Sequence, residues 1–369
     1  MKIAVINTLP IPSGEASVNR ILSYAKELRL LGYDITLVST ACADTKTGLV
    51  SDVPFYNVGT RTLFGSLCKL FFTLKQKQFE IVIVVTSSLL LVLSLWFFSI
   101  FLHYKLVNEK SEYPFPLMKK GLLRRLYALY YVNITYRLFD GMIVMTKPLM
   151  EYYKNKVRKK CKMMYMPMTV DTERFNIVPV PNAMGDYLAY CGNMSNSKDG
   201  IVNLINSFVM VELQHPDVKL LLIGGTNDES YLNSLKQKVA DLGLKNVVFY
   251  GKVSRDEMPS LLLNAKALLL ARPSSLQATG GFPTKLGEYL ATGKPVVVTA
   301  VGDIPLYLNR TNSYIVQPDD NELFAAAINE ILDNYDKALE VGKEGKKLAD
   351  TVFNAKVQTD RLDKYLLTL

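Results

Sequence analysis

Residues 271–299 read ARPSSLQATGGFPTKLGEYLATGKPVVVT, and this stretch decides the fold. The apolar run at 267–271 predicts a buried strand, while residues 272–283 are rich in Pro, Ser, Thr and Gly, which is typical of a loop. Residues 283–291 have helical periodicity, and a Gly-Lys-Pro sequence ends that helix before a second strand at 295–299. This order of strand, glycine loop, helix and strand predicts an α/β fold with a parallel sheet.

The helix that follows the loop predicts an anion site. Its first backbone N–H groups have no partner within the helix and point at the loop, which suits a diphosphate. Gly280 and Gly281 let a ligand approach the backbone closely. Glu288, on the second turn, is placed to accept two hydrogen bonds from a ribose diol. An ordinary strand–helix–strand unit with a glycine-rich turn is the alternative interpretation.

Residues 280–297, GGFPTKLGEYLATGKPVV, resemble the signature of the retaining glycosyltransferases of family four, the glycosyl transferases group 1. That family reads EGFGxxxxEAxAxGxPVV and has the GT-B fold, two Rossmann-like β/α/β domains facing a central cleft. Glu288 matches the second family glutamate, which holds the nucleotide ribose. Gly280 stands where the family has its first glutamate, which contacts hydroxyls of the donor sugar.

The resemblance implies further residues that bind the donor. Gly14 matches the glycine of the family's first loop, although a plain turn glycine explains it equally well. Lys198 lies near a family position where a basic residue stabilises the leaving diphosphate, and a surface lysine is its alternative. Residues 251–253 match the segment that holds the base through backbone groups. The implied donor-binding residues are Gly14, Gly192, Lys198, Gly251, Lys252, Val253, Gly280, Gly281, Phe282, Pro283, Thr284, Lys285, Leu286 and Glu288.

The reaction implied by the resemblance depends mainly on positive charge that stabilises the leaving diphosphate. Breaking the anomeric bond places negative charge on the diphosphate, which helix N–H groups and cations stabilise in place of a metal. We assign catalytic roles to Lys198, Arg272 and Glu288, with Lys285 as a second cation. Arg272 follows the strand and is expected to point toward the same cleft. No nucleophile is evident.

The chain length of 369 residues predicts two domains of α/β size. We expect an acceptor-binding domain over residues 1–178 and a nucleotide-sugar-binding domain over 179–350. The segment 166–175, MPMTVDTERF, resembles the family's PNGVDxxxF, which closes the first domain. By the same resemblance, the helical residues 351–369 are expected to return to the first domain.

Several function classes find no support in the residue inventory. The chain has four cysteines without metal or redox spacing and only two histidines, His103 and His215, so neither a His-based metal centre nor a serine triad is indicated. No Asp-x-Asp pair supplies metal ligands, and no GxGxxG indicates a nicotinamide or flavin. The N-terminus reads as a strand, not a signal peptide. These features predict a cytoplasmic protein without a cofactor, and the family resemblance implies a nucleotide diphosphate-sugar as co-substrate.

Residues 81–102 contain no charged side chain, and this uncharged segment is long enough to span a bilayer. The alternative is a strand at 81–85, a buried helix at 89–103 and a strand at 105–108. We favour the alternative because the periodicity breaks at two serines and the βα alternation continues. The apolar helix remains a candidate for shallow contact with a membrane.

Positive charge is concentrated between residues 103 and 165, where fourteen Lys/Arg face four Asp/Glu. A helix predicted over 117–139 carries basic residues beside leucines and tyrosines, and a second basic cluster follows at 154–162. We call residues 119–162 the basic stretch. It predicts docking on an anionic membrane surface, with a lipid-linked acceptor and without nucleic acid.

The function implied by the resemblance is transfer of a sugar to a glycan or lipid-linked acceptor, without a metal and with retention of configuration. Polysaccharide or glycolipid synthesis at the cell surface fits this expectation. A non-catalytic nucleotide-sugar binder of the same fold is one alternative, favoured by Gly280. A GT-B epimerase is another, although the scarcity of histidines argues against it.

Overall fold

The computed structural model describes residues 1–13, 15–114, 121–181, 184–194 and 196–369. It divides the chain into two compact units, Met1–Thr169 with Ala355–Leu369, and Val170–Asn354. The first boundary thus falls before residue 170, not after 178 as the sequence suggested. Residues from Val170 onward pack with the second unit because the N–H of Val170 donates to the carbonyl of Phe353 at 2.9 Å.

The first unit is built on a sheet whose described strands lie in the order β3-β4-β2-β1-β5-β6-β7-β8. Only β3 runs antiparallel to its neighbour, and the other pairs are parallel. Its elements are β1 Lys2–Asn7, α1 Ala16–Leu30, β2 Asp34–Ser39, β3 Thr47–Val50, β4 Val53–Asn57, α2 Leu63–Lys77, β5 Ile81–Val85, α3 Leu89–Leu102, β6 Lys105–Lys110, α4 Leu122–Thr135, β7 Gly141–Val144, α5 Lys147–Lys154 and β8 Lys162–Tyr165.

The second unit has a parallel sheet in the order β11-β10-β9-β12-β13-β14. Its elements are β9 Tyr187–Asn193, α6 Asn196–Asp199, α7 Ile201–Gln214, β10 Lys219–Gly225, α8 Glu229–Asp241, β11 Val247–Gly251, α9 Met258–Asn264, β12 Ala267–Leu270, α10 Leu276–Gly280, α11 Thr284–Ala291, β13 Val296–Thr299, β14 Tyr314–Val316, α12 Asn321–Asp333 and α13 Tyr335–Leu348. The predicted parallel α/β sheet is therefore confirmed.

The last helix, α14 Ala355–Leu366, belongs to the first unit. It packs against α1, and its Leu362 and Leu366 join the apolar core on one face of the first sheet. Helices α2, α3, α4 and α5 contribute to the core on the opposite face. The first sheet is thereby covered on both sides, as a parallel sheet requires.

Helix α3 differs from the buried helix that the sequence predicted. Only Leu91, Val92 and Leu95 are buried, and its outward side chains are exposed although they are apolar. The prediction was wrong in this respect because uniform hydropathy does not specify which side of a helix faces the sheet. No helix in the described ranges is both long and apolar enough to cross a membrane.

Two other predicted elements have different bounds. Helix α4 ends at Thr135 and continues as a short 3-10 turn, Tyr136–Leu138, whereas the helix had been predicted over 117–139. Residues 115–120, with Lys119 and Lys120 of the basic stretch, lie outside the described residues. The predicted loop at 272–283 contains the short helix α10, which Ser275 caps by accepting a hydrogen bond from the N–H of Ala278.

Candidate functional site

The candidate site lies at the carboxyl edge of the second sheet. Strands β9, β10, β11 and β12 are parallel, so their carboxyl ends share this edge, where open α/β sheets bind ligands. Gly192 is the penultimate residue of β9, Gly251 ends β11, and Arg272 follows β12 by two residues. The structure therefore brings three separated sequence positions to one edge.

The side chain of Arg272 is hydrogen-bonded to the backbone of the glycine loop, residues 272–283. This side chain is fully buried, and Nη2 donates to the carbonyl oxygens of Ala278 at 2.8 Å and Gly281 at 3.4 Å. From the sequence we expected this guanidinium to point toward the cleft. In the structure its Nη2 contacts the backbone on both sides of Gly280, because the loop folds back over the end of β12 as helix α10.

Helix α11 begins directly after the loop and presents its N-terminus there. Pro283 precedes the first turn and supplies no side-chain cap, so Thr284 and Lys285 begin the helix without one. The side chains of Phe282 and Leu286 are buried, and the Phe282 ring packs 5.6 Å from that of Phe353. These two predicted donor residues therefore offer a ligand only main-chain groups.

Lys285 is held at the site by two partners, one on β9 and one on α6. Its ammonium lies 2.8 Å from the Asp199 carboxylate and 2.7 Å from the Tyr190 hydroxyl, and 4.5 Å from the centre of the Tyr190 ring. Burial lowers the pKa of Lys285, and the charge of Asp199 opposes this shift. The arrangement fixes one cation beside the first turn of α11.

Gly192 and Gly200 both have positive φ, and the chain packs closely against each of them. Gly192 has φ +148°, and a Cβ there would lie 2.5 Å from the Lys285 Nζ. Gly200 has φ +70°, and a Cβ would lie 1.7 Å from the carbonyl oxygen of Ala271. Gly200 separates α6 from α7, and α6, which carries Lys198, packs against α10. Lys198 thus lies on an element that contacts the glycine loop.

Glu288 pairs with an arginine that the sequence reasoning did not assign to the site. Arg174 Nη1 lies 3.1 Å from the Glu288 carboxylate, and Arg174 Nη2 donates to the carbonyl oxygen of Arg255 at 2.7 Å. The Glu288 side chain is 19% exposed. Burial raises the pKa of Glu288, and the charges of Arg174, Arg255 and Lys285 oppose that rise.

These groups form a cluster of opposite charges. Glu288 interacts with Arg174, Arg255 and Lys285, and Lys285 interacts in turn with Asp199 and Arg272. Arg255 also interacts with Asp171 and Asp256. Arg174 lies in the segment 166–175 and was visible in the sequence. Its role was missed because the 3-10 turn Thr172–Phe175 reaches α11 only through packing between distant parts of the chain.

The remaining predicted positions lie at the margin of the cluster or outside the described residues. Lys252 is exposed, with Nζ 3.4 Å from the Asn227 side-chain oxygen, and Val253 follows it beyond the end of β11. Gly14 lies outside the described residues. Within the described ranges, no group of three or more His, Cys, Asp or Glu side chains is arranged to hold a metal ion.

A family model described as glycosyl transferases group 1 matches residues 149–348, more than half of the chain. The chain belongs to this family. The family expected from the glycine loop is thus confirmed, and the match includes every member of the charged cluster.

Individual relatives are more distant. Over 180 residues the chain is 25% identical to the GDP-mannose-dependent monoacylated alpha-(1-6)-phosphatidylinositol monomannoside mannosyltransferase of Corynebacterium glutamicum, a match covering 48% of this chain and 46% of the relative. The chain spans less than half the length of the curated relatives it matches.

Two solved structures share the fold. HepE from Anabaena, in complex with UDP-glucose, superposes with a TM-score of 0.79 at 17% identity and covers all of both chains. Sucrose-phosphate synthase from Thermosynechococcus elongatus has a TM-score of 0.78 at 16% identity, covering 100% of this chain and 98% of the other. These likenesses confirm the GT-B fold of this group 1 glycosyltransferase family member.

Proposed function

We propose that the protein transfers a sugar from a nucleotide diphosphate-sugar to a glycan or lipid-linked acceptor, with retention of configuration and without a metal ion. The observation that carries the proposal is the charged cluster at the first turn of α11, where the Lys285 ammonium lies at the uncapped start of the helix that also carries Glu288. The Corynebacterium glutamicum relative is GDP-mannose-dependent, and the HepE structure contains UDP-glucose, which supports this class of donor.

The diphosphate is the group that the cluster fits best. Uncapped N–H groups at the start of α11 supply a partial positive charge, and the Lys285 ammonium, paired with Asp199, is held next to them. When the anomeric bond breaks, negative charge grows on the leaving diphosphate. Charges already fixed in a buried site stabilise it without reorganisation. Lys198, on α6, is the second cation that we assign to this role.

Glu288 is assigned to the ribose and residues 251–253 to the base. In the described structure the Glu288 carboxylate accepts from Arg174, which leaves acceptor capacity on its oxygens for two ribose hydroxyls. Arg174 then fixes the carboxylate in one orientation, and its charge opposes the rise in the pKa of Glu288 that burial causes. We therefore assign Arg174 as a positioning residue for Glu288.

The acceptor is assigned to the first unit and to a membrane. We place the protein in the cytoplasm, attached peripherally to the inner face of the cell membrane, in polysaccharide or glycolipid synthesis. The basic stretch supports attraction to anionic lipid. Part of it has internal partners, because Arg158 pairs with Asp140 and Lys162 contacts the carbonyl of Thr368. Lys154, Lys159 and Lys160 are exposed and remain available for lipid.

Gly280 favours one alternative, a nucleotide-sugar binder that does not catalyse transfer. The position is buried at the end of α10, where the family signature places a glutamate for the donor sugar. A binder would retain the cluster around Lys285 and Glu288 and lose only the contact to the sugar. Binding of a donor without turnover distinguishes this alternative from the transferase.

The donor is tested with a thermal-shift panel of UDP-, GDP-, ADP- and TDP-sugars. A ligand that binds only the folded protein raises its melting temperature by mass action. We expect one base to raise the melting temperature, and the matching free sugar, the control, to leave it unchanged. If no nucleotide diphosphate or its sugar shifts the melting temperature at millimolar concentration, the proposed donor site is wrong.

A further inference from the structure

The outward side of helix α3 is apolar and exposed. Leu90, Trp96, Phe97, Ile100 and Phe101 are 47%, 38%, 52%, 50% and 59% exposed. Their spacing of three, four and seven residues places them on one side of the helix. Leu91, Val92 and Leu95 face the sheet instead. The helix therefore has two apolar sides, and only one of them is covered by the first unit.

The neighbouring helices extend this apolar surface. On α4, Leu122, Leu123 and Leu126 are 74%, 82% and 55% exposed. On α2, Phe72 is 65% exposed, and its neighbour Phe71 packs against Phe98 of α3 with ring centres 5.0 Å apart. Helix α3 packs against both α2 and α4. We call the exposed side of these three helices the α2–α4 surface. Scattered exposed apolar residues are ordinary, but a contiguous group of this kind marks an interaction surface.

The charge of these helices selects the partner. Their sequences contain no Asp or Glu and five Lys or Arg, three on α2 and two on α4. An apolar surface on helices whose charged residues are all basic complements an anionic bilayer, in which apolar side chains enter the acyl boundary and basic side chains meet the headgroups. A second copy of this chain would bring like charges together on the same surface, which disfavours a symmetric dimer.

We infer that the α2–α4 surface inserts into the interfacial layer of a membrane containing anionic lipid, with Trp96, Phe97 and Phe101 entering the acyl region. The inference deepens the membrane part of the proposed function and rests on it. It differs from docking by the basic stretch alone, since insertion buries apolar area and keeps part of its strength at high salt. Sugar transfer chemistry does not depend on it.

Trp96 is the only tryptophan of the chain, so its fluorescence reports this surface alone. The full-length protein is mixed with vesicles of phosphatidylcholine, with or without phosphatidylglycerol, at low and high salt. We expect the emission to move to shorter wavelength with both vesicle types, more strongly with phosphatidylglycerol, and to be quenched by lipids brominated on the acyl chains. An emission unchanged by every vesicle, or quenched only by a water-soluble quencher, would overturn the inference.

Variants of the two exposed phenylalanines make the test specific. Phe97→Ser with Phe101→Ser should weaken vesicle partitioning by roughly tenfold to a hundredfold, since each ring is about half exposed and its burial drives insertion. Leu213→Ser, at an 81% exposed leucine on α7 of the second unit, is the matched control and should partition like the wild type. Equal partitioning of both variants, with melting temperatures preserved, would contradict insertion.

Two further readouts separate the competing outcomes. A shift of Trp96 emission that grows with protein concentration without lipid, together with a dimer in sedimentation, would assign the surface to a second copy of the chain and overturn membrane insertion. Donor binding is measured on the same samples by the thermal-shift panel. Failure of insertion with donor binding intact leaves the proposed transfer standing, whereas failure of donor binding alone leaves insertion standing.

Discussion

Glu288 is the residue through which the donor site is most directly tested. Its partly buried carboxylate accepts a hydrogen bond from Arg174 and is proposed to accept others from the ribose. Hydrogen bonds to charged groups contribute about 1.5–3 kcal/mol each. Glu288→Gln should keep the fold and weaken nucleotide affinity by roughly tenfold or more, on that scale. Calorimetric titration checks this, with Glu340→Gln, at an exposed glutamate of α13, as the control. Unchanged affinity in Glu288→Gln would remove the residue from the site.

The buried Lys110 should make the free energy of unfolding depend on pH. Burial lowers the pKa of Lys110 from 10.5 to about 8, although Nζ donates to the carbonyl oxygen of Thr86 at 2.6 Å. Below pH 8 both folded and unfolded chains carry the proton, so the full cost of burying the charge is present. Between pH 8 and 10.5 the unfolded chain binds more protons than the folded chain, so stability rises with pH.

Lys110→Met should therefore raise the free energy of unfolding at pH 7 by about 2 kcal/mol, the cost of the shifted pKa less the lost hydrogen bond. It should also flatten the rise in stability above pH 8. Denaturant titrations at several pH values measure both effects, and Lys105→Met, at an exposed lysine of the same strand, serves as the control. A variant that is less stable than the wild type at pH 7 would contradict the assigned cost.

At the scale of elements, local sequence patterns predicted the strands and helices around the site well. The strand at 81–85 has the predicted bounds, and those at 267–271 and 295–299 differ from the prediction by one residue, because apolar runs next to turn residues specify them locally. Helix α10 was missed because its five residues show no period, and its cap at Ser275 resembles ordinary loop composition. The exposure of α3 was missed because both sides of this helix are apolar, so its hydropathy does not show which side packs on the core and which is exposed.

The N-cap of α10, Ser275, connects the stability of this helix to donor binding. Ser275→Ala removes the N-cap of α10 and should lower stability by about 1 kcal/mol. Because α10 ends at Gly280, donor affinity should fall as well. Ser88→Ala removes the corresponding cap of α3 in the first unit and should reduce stability without affecting the donor. Thermal melts with and without the nucleotide compare the two variants. Equal donor affinity in both would separate α10 from the donor site.

At the scale of the whole molecule, the chain leaves its first unit near residue 170 and returns to it at Ala355. The family resemblance indicated that return, but sequence patterns do not show which core receives α14. The pair of Arg174 with Glu288 was beyond prediction for a similar reason. Its members are 114 residues apart and meet only when the turn Thr172–Phe175 packs against α11.

The return of α14 has a measurable consequence for stability. Leu362 is fully buried in the core shared with α1, and Leu362→Ala should destabilise the first unit by about 2–5 kcal/mol, because a cavity remains where the side chain was. Leu367→Ala, at a 70% exposed position just beyond α14, is the control and should cost little. Equal stability of the two variants in urea titrations would show that α14 does not contribute to that core.

The most direct test of the proposed function is steady-state sugar transfer to acceptors extracted from membranes, using the donor that the thermal-shift panel identifies. We expect the wild type to transfer the sugar. Gly280→Glu should lose transfer while keeping nucleotide affinity, because position 280 is expected to face the donor sugar and not the nucleotide. The new carboxylate would either clash with that sugar or lie without a partner at this buried position, which costs several kcal/mol. A wild type that binds the donor but transfers no sugar to any extract would contradict the assignment as an enzyme.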